Sequence, residues 1–177
     1  MIRFILTGAP GAGKTAILRR LEQEGFGVVE EAATDVIALE QASGVAEPWR
    51  TAAFIDRIVD LQRLRQTRAA DAADVVQFHD RSVVCTAALA TWLGYPFSAA
   101  LLSELQRIER QAVFQKQVFF IRSLGFIKAT EARRISLENA LRFEELHEKT
   151  YREHGFEIVP VAPGSVLDRV NAIRRAL

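Results

Sequence analysis

Eight residues near the start of the chain, Gly8-Ala9-Pro10-Gly11-Ala12-Gly13-Lys14-Thr15, set three glycines, one lysine and one hydroxyl at fixed spacing. Glycine gives backbone N–H groups the freedom to turn inward together, and a concave set of such donors is a nest for phosphate oxygens. A helix beginning near Lys14, with Ala16 in its first turn, aims its positive end at the same place. Lys14 adds a full charge on the β and γ phosphates, and the Thr15 hydroxyl is suited to ligate Mg²⁺. The pattern fits G-x-x-x-x-G-K-[ST]. The phosphate-binding set is therefore Gly8, Ala9, Pro10, Gly11, Ala12, Gly13, Lys14, Thr15 and Ala16.

That chemistry requires a strand before the loop and a helix after it, and the apolar periodicity supplies both. Residues 2–7 read as a buried strand and 14–24 as a helix with Ile17, Leu18 and Leu21 on one face. Further strands are expected over 27–31, 74–79, 117–121 and 157–161, with Pro160 marking a sheet edge. Helices are expected over 32–42, 51–70, 83–93, 98–111 and 131–154. A last helix is capped by Ser165, with Asp168 three residues on as a partial capping box. Strands alternating with helices predict a parallel α/β sheet covered on both faces.

Composition excludes several function classes. The net charge is +1, so no overall field draws in nucleic acid or an anionic membrane. Arginine supplies nineteen of the 23 basic residues, against which Lys14 stands out. One cysteine, Cys85, allows no intrachain disulfide and no thiolate cluster, and His79, His147 and His154 lack zinc-site spacing. The apolar run before Gly8 is too short for a signal-peptide core, and no stretch approaches the ~20 apolar residues of a membrane span. A cytoplasmic protein of one domain, residues 1–177, is expected.

The loop is the Walker A motif, and with it the chain resembles a P-loop NTPase. No N-K-x-D guanine-reading motif and no LSGGQ signature is present, and the third strand leads into His79-Asp80-Arg81 rather than Asp-Glu. The form G-x-P-G-x-G-K-[ST] is most similar to small-molecule kinases of the adenylate and nucleoside kinase group. The whole chain resembles a bacterial family of predicted ATPases, AAA-labelled, related to ribosylnicotinamide kinase domains. The matching stretches are RFILTGAPGAGKTAIL, VVEEAATDVI, VVQFHDRSV, QVFFI and EKTYREHGFEIVPVAPGSVLDRV. Two departures fall where an acceptor or lid would be read. Thr34 stands where an arginine is frequent, and the fourth strand exits into RSLGF.

The resemblance implies a three-layer P-loop fold with strand order 2-3-1-4-5. It also implies further site residues. Asp80, at the end of a strand lying beside the first, would hold Mg²⁺ with Thr15 or do catalytic work by positioning the acceptor hydroxyl; its alternative role is to cap the next helix. Arg81 reaches a phosphate or the acceptor, or makes a structural ion pair. Glu30 and Glu31 end the second strand, and alternation sends one of them to the site. Glu31, last before the loop, is favoured as the base that takes the acceptor's hydroxyl proton, against a plain surface charge; Asp35 could share that role. Arg133 and Arg134, in a lid over about 122–134, would close over the transferred group, with Arg122 a weaker candidate. Trp49, Arg50, Phe54 and Arg57 are acceptor-pocket candidates, with core packing the alternative for the aromatics. His79 reads as a buried histidine rather than a catalyst. The implied activity is Mg²⁺-dependent transfer of the γ-phosphoryl group of ATP to a nucleoside-like or ribosylnicotinamide-like hydroxyl. The alternative is a regulatory ATPase or nucleotide switch acting on a protein partner.

Overall fold

The computed structural model describes residues 1–69, 75–124 and 136–177. The expected lid arginines Arg133 and Arg134, the start of the helix expected at 131 and the strand start expected at 74 lie outside the described residues.

Five parallel strands, β1 (Ile2–Thr7), β2 (Gly27–Val29), β3 (Val76–Asp80), β4 (Gln117–Ile121) and β5 (Glu157–Val161), form one sheet in the order 2-3-1-4-5. β1 sits in the middle, paired with β3 on one side and β4 on the other, so Leu6 lies beside Asp80 and Thr7 beside Phe120. That register brings the carboxyl ends of the three central strands to one edge, where open α/β sheets bind ligands. β5 takes the outer position, which tolerates the missing N–H of Pro160.

Strand alternation divides the apolar residues between two layers. Phe4 and Leu6 of β1 join Phe78 and Phe119 beneath α1 (Lys14–Gln23) and α7 (Val166–Arg174), with Ile17, Leu21, Val170 and Ile173. Ile5 faces the other way, into a larger core shared by α3 (Ala53–Arg68), α4 (Val83–Leu93), α5 (Ala99–Arg110) and α6 (Leu137–Glu153). α4 is central to this layer. Its Cys85, Ala87, Ala88 and Ala90 are buried, and side chains this small let the neighbouring helices approach closely. α2 (Ala33–Ala42) and a short 3₁₀ turn (Pro48–Arg50) close the side next to β2. No described helix is long and apolar enough to cross a membrane.

Serine hydroxyls fix where the later helices begin. Ser82, Ser98, Ser136 and Ser165 each accept a backbone N–H from the first turn of α4, α5, α6 and α7. Asp168 makes half of a capping box, donating its N–H to Ser165 Oγ at 3.1 Å, while its carboxylate accepts the Ser165 hydroxyl. The cap of α4 is thus Ser82, not Asp80. α1 differs, because its N-cap is Gly13, without a side-chain cap. Its leading amides are left for another acceptor.

β2 is shorter than the expected 27–31, stopping at Val29. The reason lies in α3. Arg65 donates to the carbonyl oxygens of both Glu30 and Glu31, turning their backbone out of the ladder. Strand alternation therefore does not govern these two side chains. Glu30 pairs with Arg19 at the surface, while Glu31 turns toward Arg81.

Candidate functional site

The loop between β1 and α1 takes the shape its glycines permit. Gly8, Gly11 and Gly13 have φ of 130°, 83° and 85°, conformations that side-chain-bearing residues rarely adopt. Gly8 also makes room. A Cβ there would lie 2.2 Å from the carbonyl oxygen of Ile121 at the end of β4. Lys14 curls back over this loop, donating to Gly8 O at 3.1 Å and Ala9 O at 2.9 Å. Burial, followed by the nearby charge of Arg81, pushes its pKa down to about 8, against the pull of Asp80 and Glu31.

The loop opens onto a cavity of about 720 Å³. Pro10, Gly11, Gly13, Lys14, Thr15 and Ala16 line one end, whereas Gly8, Ala9 and Ala12 lie outside the lining. Beside the loop stand Asp80, Arg81 and Glu31. Asp80 is buried at the tip of β3 and Thr15 is exposed at the start of α1. This oxygen-only pair, one carboxylate and one hydroxyl, matches what Mg²⁺ takes when it keeps most of its waters and binds phosphate.

Arg81 is the strained residue of the site. Its φ is 72°, unusual for a side-chain-bearing residue, and its N–H is held by Leu6 O at 2.9 Å. This conformation turns the chain sharply between β3 and Ser82. The guanidinium lies inside the cavity wall, with Nε 2.7 Å from Glu31 Oε1 in an ion pair not aligned as a hydrogen bond. Nη1 lies 3.1 Å from His147 Nε2. Nδ1 of His147 is 2.7 Å from Phe143 O, an acceptor, so the ring proton sits on Nδ1 and Nε2 receives the Arg81 proton. Burial first, and Arg81 next, lower the His147 pKa to about 3, so this ring is neutral. Burial alone would raise the Glu31 pKa, but Arg81, Lys14 and the Thr34 hydroxyl at 2.7 Å outweigh it and hold the carboxylate below its ordinary 4.5.

Away from the loop the cavity becomes apolar. Phe54, Ile58 and Gln62 project from α3 at successive turns, Thr86, Leu89 and Trp92 from α4, and Phe143 from α6, with Trp49 from the 3₁₀ turn. Gln62 and Thr86 form the polar exception, Thr86 Oγ1 donating to Gln62 Oε1 at 2.8 Å. Among the described lining residues, every formal charge stands at the phosphate-loop end.

Of the acceptor candidates read from sequence, Trp49 and Phe54 line this arm. Arg50 and Arg57 point outward to Glu47 and Glu40, and Asp35 pairs with Arg65. Arg122 is engaged by Glu144 and Glu148 of α6, the latter at 2.6 Å. His79 is buried edge-on to Phe114, outside the cavity lining. The sequence reading missed Thr86, Trp92, Phe143 and His147 as site residues. Its available signal was helical spacing: Asn139, Phe143 and His147 recur every four residues, as do Phe54, Ile58 and Gln62.

The strand order and the covering helices are shared with several solved structures. The NadR protein, solved in complex with NAD and AMP-PNP, superposes with a TM-score of 0.70 at 17% identity, over 98% of this chain and 49% of that one. The present chain thus spans about half the length of that relative. Deoxyadenosine kinase from M. mycoides, with dCMP and dCDP bound, gives 0.62 at 11% identity over 99% and 98% of the two chains. Shikimate kinase from Acinetobacter baumannii, in complex with shikimate, gives 0.58 at 14% identity over 99% and 92%. At these identities the likeness is one of fold. No curated protein sequence matches the chain. The profile of the family described as an AAA domain matches residues 3–169, and the chain belongs to that family.

Proposed function

We propose that the protein is an ATP-dependent phosphotransferase that moves the γ-phosphoryl group to a hydroxyl of a small, ring-bearing acceptor. The observation that carries this reading is the single cavity joining the phosphate loop to an apolar, aromatic-lined arm. A ligand-sized apolar compartment beside a phosphate loop suits an acceptor, which nucleotide binding or hydrolysis alone does not require.

In this reading the open amides at the start of α1 and the loop N–H groups hold the phosphates. Lys14 exchanges Gly8 O and Ala9 O for phosphate oxygens, whose negative charge favours its protonated form. Thr15 and Asp80 would hold Mg²⁺, which supplies charge neutralisation on the β and γ phosphates. Glu31, ionised and fixed by Arg81, accepts the hydrogen bond of the acceptor hydroxyl and orients it. Its lowered pKa makes it a weak base, which suits a loose transition state needing little early proton removal. Arg133 or Arg134, in a lid over about 122–134, remains the proposed source of charge over the transferred group. An arm without charge, lined by Trp49, Phe54, Trp92 and Phe143, suits a nucleoside-like or ribosylnicotinamide-like ring better than a carboxylate acceptor.

The test is ADP release from Mg-ATP with and without a panel of nucleosides, ribosylnicotinamide and shikimate, with products weighed by mass spectrometry. The expected result is a rate stimulated by one ring-bearing compound, a product heavier by one phosphoryl group, and loss of that rate by orders of magnitude in Lys14→Ala. Slow hydrolysis that no compound changes would overturn the kinase reading and favour a nucleotide switch acting on a protein partner.

A further inference from the structure

Arg169 has no part in the scheme above, yet it is among the most buried charged groups of the molecule, at 3% exposure. It projects from α7 beneath the phosphate loop. Nη1 donates to Ala12 O at 2.8 Å and Nη2 to Arg122 O at 3.0 Å. No carboxylate among the described residues pairs with it. Its pKa is lowered by burial, as expected for a guanidinium withdrawn from water. A cation buried against carbonyls is costly, and a purely structural tie between two carbonyls could be made by a neutral amide.

The two carbonyls it grips explain the expense. One belongs to the phosphate loop and the other to the exit of β4. A trans peptide is planar, so the Ala12 C=O and the Gly13 N–H point in opposite directions. Holding the Ala12 oxygen beneath the loop therefore aims the Gly13 N–H away from Arg169, toward the cavity that Gly13 lines. Gly13 itself keeps this approach open. A Cβ there would sit 3.1 Å from Arg169 Nη1. We propose that Arg169 is a positioning residue for the nucleotide. It locks the Ala12–Gly13 peptide with its N–H presented to a phosphate oxygen, and places a fixed positive charge behind the loop. This rests on the reading of the loop as a phosphate cradle, but not on the identity of the acceptor or on phosphoryl transfer.

Direct titration calorimetry with Mg-ATP tests it, using wild type, Arg169→Met, Arg169→Lys and Lys14→Ala, each at a temperature where melting shows it fully folded. Arg169→Met, which keeps the stem and removes the donors and charge, is expected to weaken ATP binding on the order of tenfold to a hundredfold. Arg169→Lys, which keeps the charge but cannot grip both carbonyls, is expected to recover part of that loss. ATP affinity equal to wild type in folded Arg169→Met, whatever its Tm, would overturn the proposal, since a structural tie alone moves Tm and not affinity. Full recovery by lysine would overturn the peptide-locking half. Wild type that binds no ATP, like Lys14→Ala, would instead sink the phosphate-cradle reading. Should the methionine variant not fold, the Gly13 amide proton in wild type serves. ATP is expected to shift it strongly by NMR, and an unmoved resonance refutes the positioning role.

Discussion

Lys14 carries opposite pH signatures in binding and in stability. With its pKa at about 8 in the free protein, against 10.5 for an ordinary lysine, the folded chain gives up this proton earlier than the unfolded one. Between those two values the unfolded state binds more protons, so this residue makes the free protein more stable as pH rises. Phosphate binding needs the ammonium, so kcat/KM for ATP, which reports the free enzyme, should fall about tenfold per unit above pH 8. Initial rates and urea midpoints across pH 7–10 check both signs. If both quantities fall together, the assignment to Lys14 is wrong. The lysine itself was legible in sequence, because its spacing from three glycines names its task. Its perturbed proton affinity was not, because that depends first on burial and then on Arg81, a residue distant in the chain with a φ of 72°.

At the scale of elements, β1 and β4 meet the loop at a point where there is no room for a side chain. Gly8→Ala combines a backbone at φ 130° with a Cβ 2.2 Å from Ile121 O, on the backbone of a central strand that cannot yield cheaply. The substitution should cost about 3 kcal/mol of stability and abolish nucleotide binding. Urea unfolding followed by circular dichroism measures the first and calorimetry with Mg-ATP the second. An alanine variant with wild-type stability would contradict the close packing of these two strand ends. The element pattern was largely readable: 117–121, 157–161 and 83–93 fall where apolar runs and turn residues place them. The early end of β2 was not, because a side chain from α3 decides it.

For the whole molecule, two histidines set the acid limit. His79 and His147, both with pKa lowered to about 3, chiefly by burial, are neutral when folded and free to bind protons near 6.5 when unfolded. As pH falls through that window the unfolded state binds more protons, so stability drops by up to about 1.4 kcal/mol per pH unit for each ring. Urea midpoints from pH 7 to 4 should show this slope, with His147→Gln removing roughly half of it. A flat profile between 6.5 and 4.5 would show that the rings are not buried as neutral groups. These two rings also leave no mark on the rate profile in this range, since neither titrates there in the folded protein.

Sequence alone determined the phosphate loop, the alternation of strands and helices, and through resemblance the strand order. The loop and the alternation are local: a glycine's backbone freedom, a period of two or of nearly four, and a capping serine act within a few residues of themselves. The tertiary structure decided what those local pieces share. It brought Glu31, Arg81 and His147 from three distant segments into one chain of contacts. It turned Arg50 and Arg57 away from the cavity while keeping their neighbours Trp49 and Phe54 in it. It also set Arg169, 157 residues from Ala12, beneath the loop. Such contacts follow from the packing of whole helices on the sheet, and no spacing along the chain encodes which buried cation meets which carbonyl.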